Sequence, residues 1–403
     1  MKGRNIIITS IQAWDIPIGS NSRNIAYELA KENKVIYVNT PLDRITSWRE
    51  RSFKTIQKKK AVIKTGKPLI EKITSNLSVF YPSVLLESIN ILPEGKLYNY
   101  LSKRNNELLS YNLLQYLDTI NFKYPILFID SDMYRCFFMK EIINPVFTIY
   151  YTRDNLQSVS YWKRHGLRME PLLMQKVNCV VANSRFLAEM AQKNNPNTYY
   201  IEQGCDLDMY KFDYEYIEPK DIQYIPHPRV VYTGAILQIR LDINLILFIA
   251  KQNPTKSFIF IGKEDETFTK SSLHELSNVF FLGHKLPQEL PAYLSYSDVC
   301  INPQSLNLLT IGNYPRKIDE YLAMGKPVVA IKTEAMNIFE TEVYLAKDVI
   351  EFSTMINLAL LENTEEKVKS RIALATKHSW KQNTQLIFES IKKTLSYVIS
   401  SKA

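Results

Sequence analysis

The chain has 403 residues, more than the roughly 250–300 that one hydrophobic core usually serves, so two domains are expected. A hydrophobic fraction of 46% with 23% charged residues excludes a disordered chain, and no run approaches the ~20 apolar residues of a membrane span, so any membrane contact would be peripheral. The net charge of +9 favours an anionic partner: a phosphate substrate, a lipid surface or nucleic acid.

Strand-like and helix-like segments alternate along the chain, which is the pattern of an α/β protein with parallel sheets. Asn5 to Thr9 reads as a first strand, too short in its Ile6-Ile7-Ile8 run for a signal-peptide core. A loop from Trp14 to Ser22 and a helix from Arg23 to about Glu32 follow, then a strand at Val35–Val38. From Arg44 to Lys67 stand nine basic residues and one acid, Glu50. Trp48, Phe53, Ile56, Val62 and Ile63 interleave with them. The segment is either a solvated surface or a contact for anionic lipid headgroups. Strands are expected at Leu77–Tyr81, Ile126–Ile129, Val146–Tyr151, Val177–Ala182 and Tyr199–Ile201, with a helix across 95–118. Asp130, Asp132 and Asp154 fall at strand ends. There a carboxylate can bind a sugar hydroxyl or act as a base, or simply cap a loop.

Residues 211–228 bring acids, aromatic residues and three prolines, and read as an interdomain linker. A second α/β series then begins, with strands at Val230–Tyr232, Phe258–Ile261, Val279–Phe281, Val299–Ile301 and Val328–Ala330. Helices near 242–252, 287–295 and 315–324 lie between them. The organisation expected is therefore 1–210, a linker 211–228, 229–378, and a C-terminal helix 379–403 that packs back on the first domain. Two such domains imply a cleft between sheets, with ligands beyond the carboxyl ends of the strands.

Tyr314 to Ala330 is the most informative stretch. Pro315 suits a first helical position and Gly325 the position just past the end. Free N–H groups at that start, with Lys317, would make an anion site. Glu320, one turn on, could accept from a sugar diol. Phosphate plus diol outlines a nucleotide or nucleotide-sugar. Asn307 and Thr310 lie in the preceding loop, within reach of sugar or phosphate, and Tyr314, which opens the stretch beside them, is a donor-binding candidate with them.

Several segments together resemble glycosyltransferases of the two-Rossmann-domain (GT-B) fold, close to the retaining family 4 and related capsule or teichuronic-acid sugar transferases. They are Val231 to Ile236, Ile259 to Lys263, Val279 to Gly283, Pro315 to Ala330, Val181 to Ser184, Gln203 to Asp206, and His378-Ser379-Trp380. The resemblance implies two Rossmann-like domains facing each other across a cleft. It implies Gly234 as the turn that admits a diphosphate, with Arg240 and Lys317 holding it. It also implies Glu320 on the ribose, the backbone around Leu286 on the base, and Asp154 as a sugar-contacting or catalytic residue. The loop holding Trp14, Gly19, Ser20 and Asn21 would face the acceptor. The chain departs from the family pattern at Gly312, where a second glutamate is usual. It departs again in Leu241–Ile249, which lacks the usual lysine, and in a Gly-Gly loop reduced to Gly19-Ser20-Asn21.

The five histidines are scattered, so no metal site and no cofactor beyond the nucleotide-sugar substrate is expected. The chain has no Walker loop, Gly-x-Gly-x-x-Gly or Gly-x-Ser-x-Gly. Cys136, Cys179, Cys205 and Cys300 form no Cys-x-x-Cys pair and suit a reducing cytoplasm. The leading expectation is a metal-independent transferase at the cytoplasmic face of the membrane. It would take a nucleotide-sugar donor and a glycan or lipid-linked acceptor, and would not bind nucleic acid. A nucleotide-sugar 2-epimerase of the same fold and a non-enzymatic polyanion-binding protein are the alternatives.

Overall fold

The computed structural model describes residues 1–16, 20–310, 312 and 314–400. The chain forms two compact units, one of residues 1–201 with 384–403, the other of residues 202–383.

In the first unit, ten strands follow in chain order: β1 (Asn5–Ser10), β2 (Lys34–Val38), β3 (Leu42–Asp43), β4 (Leu69–Lys72), β5 (Leu77–Tyr81), β6 (Leu85–Leu86), β7 (Ile126–Asp130), β8 (Phe147–Thr152), β9 (Cys179–Ala182) and β10 (Thr198–Tyr200). Eight of them make one sheet in the order β10-β9-β8-β7-β1-β2-β5-β4, while β3 and β6 pair separately. All the pairings of the large sheet are parallel except β4 with β5. The central strands are continuous apolar runs because helices cover both faces of such a sheet. Thus Ile7, Leu127, Tyr150 and Val180 are fully buried in one core cluster. The order of the strands reverses between β1 and β7, and the loops after them carry the polar residues discussed below.

The second unit carries β11 (Arg229–Thr233), β12 (Ser257–Ile261), β13 (Val279–Phe281), β14 (Val299–Asn302), β15 (Val328–Ile331) and β16 (Val343–Ala346), in the order β13-β12-β11-β14-β15-β16. Every pairing is parallel. Residues 211–228 are not a free linker but part of this unit. Ile222 and Ile225 sit in its core. The buried Arg229 guanidinium donates to both of their carbonyls and pairs with Glu218 at 2.6 Å. A buried arginine needs such acceptors, and this segment supplies them.

The basic stretch folds as two helices, Arg44–Arg49 and Lys54–Thr65. Trp48 and Phe53 are 69% and 60% exposed. Lys58 and Lys59 turn inward instead. Lys58 meets Glu71 at 2.6 Å and lies over the Tyr81 ring. Four free cysteines are buried, as small core residues. Among the described residues no helix is long and apolar enough to cross a membrane.

Candidate functional site

The ends of β11 and β12 touch backbone to backbone. Gly234 follows β11 with φ +126°, and Gly262 follows β12. A Cβ on Gly262 would lie 1.8 Å from the Gly234 carbonyl oxygen, so only hydrogen fits there. A Cβ on Gly234 would stand 3.1 Å from Lys317 Nζ. The lysine amine therefore lies directly over the turn. It is hydrogen-bonded to the Tyr232 hydroxyl and sits 3.8 Å from that ring's centroid. Burial pushes the Lys317 pKa down to about 7, the Arg240 charge adds to the effect, and Glu320 opposes it. Two cations thus converge on a glycine turn at the carboxyl end of a parallel strand, and no carboxylate among the described residues pairs with Lys317 there.

Arg240 is held by its loop. Ser305 N–H donates to its carbonyl at 2.9 Å, and Asn307 Nδ2 donates to Ile239 O at 2.7 Å. Asn307 Oδ1 accepts from the N–H groups of Leu309 and Thr310, while the Thr310 hydroxyl bonds to Asn307 N–H and Ser305 O. Both side chains are occupied inside the loop. They brace Arg240 rather than reaching out to a ligand.

The helix of the key stretch spans Lys317–Ala323, two residues later than the sequence suggests, and Gly325 adopts φ +67° after it. Its first turn is tight: Ile318 N–H donates to Pro315 O and Asp319 N–H to Arg316 O. Those N–H groups are not free for an anion. Positive charge at this point comes from side chains. Arg316, not singled out from the sequence, meets Glu320 with Nε 3.0 Å from Oε1. Burial opposes the Arg316 charge most, but Glu320, Tyr210 and Cys205 together more than restore it. Glu320 is thereby oriented, with Tyr210 beside it.

Tyr314 is not open to a donor. It is buried, and its hydroxyl donates to Asp319 Oδ2 at 2.8 Å. Asp319, completely buried, also meets His378 Nδ1 at 2.7 Å. Burial raises the Asp319 pKa. It works against charge on His378 most strongly too, but the hydrogen bond and the charge of Asp319, helped by Glu202, together outweigh it and the His378 pKa rises. This triad ties the helix to the end of the unit. Its members lie 59 residues apart, so no local motif announces it. Leu286 is exposed, with its N–H bonded to the Glu289 carboxylate and its carbonyl accepting from Glu289 N–H. Its backbone is thus engaged locally.

In the first unit, Arg153 clamps two carboxylates, with Nε 2.8 Å from Asp130 and Nη1 3.2 Å from Asp154. Burial opposes its charge, and Asp130 and then Asp154 more than restore it. Asp130 also accepts from Ser10 at 2.6 Å. Asp154 remains partly exposed at the end of β8. Trp14 and Ser20 do not face solvent. Trp14 packs on Tyr37 and Tyr27, and Ser20 bonds to Gln12 and Ser22. Asn21 opens the helix Asn21–Ala30, beside Tyr151. Gly19 lies outside the described residues. Among the described residues no group of three His, Cys, Asp or Glu side chains could hold a metal ion.

Residues 227–362 match the family model described as Glycosyl transferases group 1. The resemblance drawn from the sequence is thus met over most of the second unit. TuaH of Bacillus subtilis (strain 168), named for glycosyl transfer in teichuronic acid biosynthesis, is 25% identical over 186 residues. That match covers 44% of this chain and 46% of TuaH, so the chain spans about half the length of this curated relative. Among solved structures, Anabaena HepE in complex with UDP superposes with TM-score 0.65 at 16% identity, over 96% of this chain and all of that one. Sucrose-phosphate synthase from Thermosynechococcus elongatus gives 0.67 at 15%, over 98% and 100%. Trehalose 6-phosphate synthase from Burkholderia multivorans gives 0.68 at 10%, also over 98% and 100%. The chain has the two-Rossmann-domain fold of these proteins.

Proposed function

We propose that the protein is a glycosyltransferase. Its second unit holds a nucleotide-sugar, and its first unit holds a glycan or lipid-linked acceptor. The observation that carries this is the Lys317 amine, half-buried over the Gly234 turn with Arg240 beside it and no carboxylate partner among the described residues. Such a pair of cations suits a diphosphate, and suits it better as charge builds on the leaving group. Glu320, oriented by Arg316, is the acceptor for the ribose diol. Side-chain cations do the work a divalent ion does elsewhere, so transfer proceeds without metal and, following the family resemblance, with retention. Asp154 contacts sugar in the first unit. The UDP bound by HepE supports a uridine nucleotide as the first donor to try.

The exposed Trp48 and Phe53, with Arg49, Arg51 and Lys54 around them, support peripheral docking on an anionic membrane. The test of the main proposal is thermal stability against UDP, GDP and ADP, followed by release of nucleotide from the matching sugar donor with and without EDTA. One nucleotide should raise the melting temperature by the linkage relation RT ln(1 + [L]/Kd). No response to any nucleotide, or activity that needs added Mg²⁺ or Mn²⁺, would overturn it.

A further inference from the structure

The loops after β1, β2 and β7 gather polar groups that donor binding does not use. Asn39, the residue after β2, is fully buried. Its Oδ1 accepts the N–H groups of Trp14 and Thr40, each at 2.9 Å, and its Nδ2 finds no partner among the described residues. Thr40 Oγ1 accepts from Lys59 Nζ at 2.9 Å. Lys59 is only 9% exposed, and no carboxylate among the described residues lies within 4.0 Å of it. Arg135, after β7, reaches the Ser10 carbonyl at the end of β1 with Nη2 at 3.3 Å, and Asp132 with Nε at 2.8 Å. Asp15, on the loop after β1, has Oδ2 buried and without a hydrogen-bond partner among the described residues.

These charges are near enough to feel one another. Burial brings the Lys59 pKa down to about 8, Asp15 draws it back up, and Arg135 pushes it down. A buried donor without a partner is destabilising, and a buried ammonium without a carboxylate is more so. Lys59 stands between Ile56 and Val62 on the buried face of its helix, where a fold concerned only with packing would place an aliphatic residue. The group also sits at the carboxyl ends of parallel strands, on both sides of the point where strand order reverses.

Its chemistry is mixed. Lys59, Asn39 Nδ2 and Arg135 donate, and Asp15 Oδ2 accepts. Donors of this kind suit a carboxylate or phosphate, and the lone acceptor suits a hydroxyl. We infer that Lys59, Asn39, Arg135 and Asp15 form a subsite for an anionic sugar, with its carboxylate or phosphate on Lys59 and a hydroxyl on Asp15. The inference rests on the transferase proposal only in making that sugar the acceptor.

The test is calorimetric titration without donor, using glucuronate, glucose 1-phosphate and glucose as probes. One of the two anionic probes should bind at least tenfold more tightly than glucose, and which one binds identifies carboxylate or phosphate as the anion. Lys59→Met should lose that binding, whereas Lys317→Met should keep it. Equal binding by Lys59→Met, no preference over glucose, or no binding of any probe overturns the subsite. Lys59→Met removes a buried charge and should melt no lower than the unmutated protein. As a second measurement, the Lys59 ammonium of the unmutated protein can be followed by NMR. Its titration midpoint should rise by at least one pH unit on saturation with the bound probe, and a fixed midpoint also overturns the subsite. None of these measurements needs turnover, so a failed transferase assay leaves them standing.

Discussion

Lys317→Met is the sharpest test of the second unit, because it should move stability and activity in opposite directions. The substitution keeps the apolar stem over the Tyr232 ring and removes the charge. In the folded protein the amine's pKa falls from 10.5 to about 7, chiefly through burial. Folding therefore favours the neutral form, and the charged form carries a penalty. That penalty is full below pH 7, fades as pH climbs, and is gone above the unfolded value of 10.5. At about 1.36 kcal/mol per pH unit the full penalty is roughly 5 kcal/mol, and solvent reaching the partly exposed side chain cuts it to about 2. The variant should thus melt several degrees higher than the unmutated protein at pH 6.5, with the gap narrowing by pH 9.5. Transfer should meanwhile fall by about 10²–10³, the usual result of losing one preorganised charge at a developing anion. Scanning fluorimetry across pH and initial rates at saturating donor read the two effects. A variant that melts lower at pH 6.5, or that turns over at an unchanged rate, refutes the reasoning.

Gly262→Ala should destabilise the second unit by at least ~3 kcal/mol, since the new Cβ meets the Gly234 carbonyl and backbone cannot give way cheaply; an unchanged denaturation midpoint would contradict the contact. His378→Gln should cost most at low pH. The pair with Asp319 raises the His378 pKa, so its contribution is full below the unfolded value of 6.5 and is lost as pH rises through the higher folded value. Denaturant titrations at pH 5.5 and 9 should show the difference shrinking, and a constant difference would assign His378 to packing alone. Replacing Arg49, Arg51 and Lys54 by glutamate should abolish co-sedimentation with anionic vesicles while leaving nucleotide affinity intact. Equal binding before and after would remove this face as the anchor. Lys58 and Lys59 are unsuitable for that test because they turn inward, bonded to Tyr81 and Thr40, and a glutamate there would change the interior rather than the exposed face.

The central strands were legible because both faces of a parallel sheet are buried, which leaves runs such as Ile126–Ile129 with no polar interruption. The Gly234 turn and Lys317 were legible for a related reason, since local backbone demands leave a local signature. What stayed hidden depends on distance along the chain. Asp319 and His378 meet across 59 residues, and Tyr314 looked like a ligand contact until its hydroxyl was seen bonded to that buried acid. Asn307 and Thr310 were placed in the correct loop, but their side chains brace Arg240. Lys59 is different, because a signal was present. Ile56, Lys59 and Val62 recur at three-residue spacing, so a lysine stood on an apolar helical face. Counting it with the solvated charges of the stretch hid it.

The first unit is interrupted in sequence, and this bears on how it is made. Its edge strand β10 is joined by the helix Trp380–Ser400, where Thr394 bonds to Tyr199 at 3.2 Å and Ile387 and Ile391 are buried. During synthesis the eight-stranded sheet can assemble early, but its edge lacks this cover until about 180 further residues have been added. At roughly 5–20 residues per second that is on the order of ten to forty seconds. The second unit, unbroken in sequence, can complete itself in the interval. The part of the chain that emerges first is therefore the last to be finished, and its open edge is the surface a chaperone would have to guard.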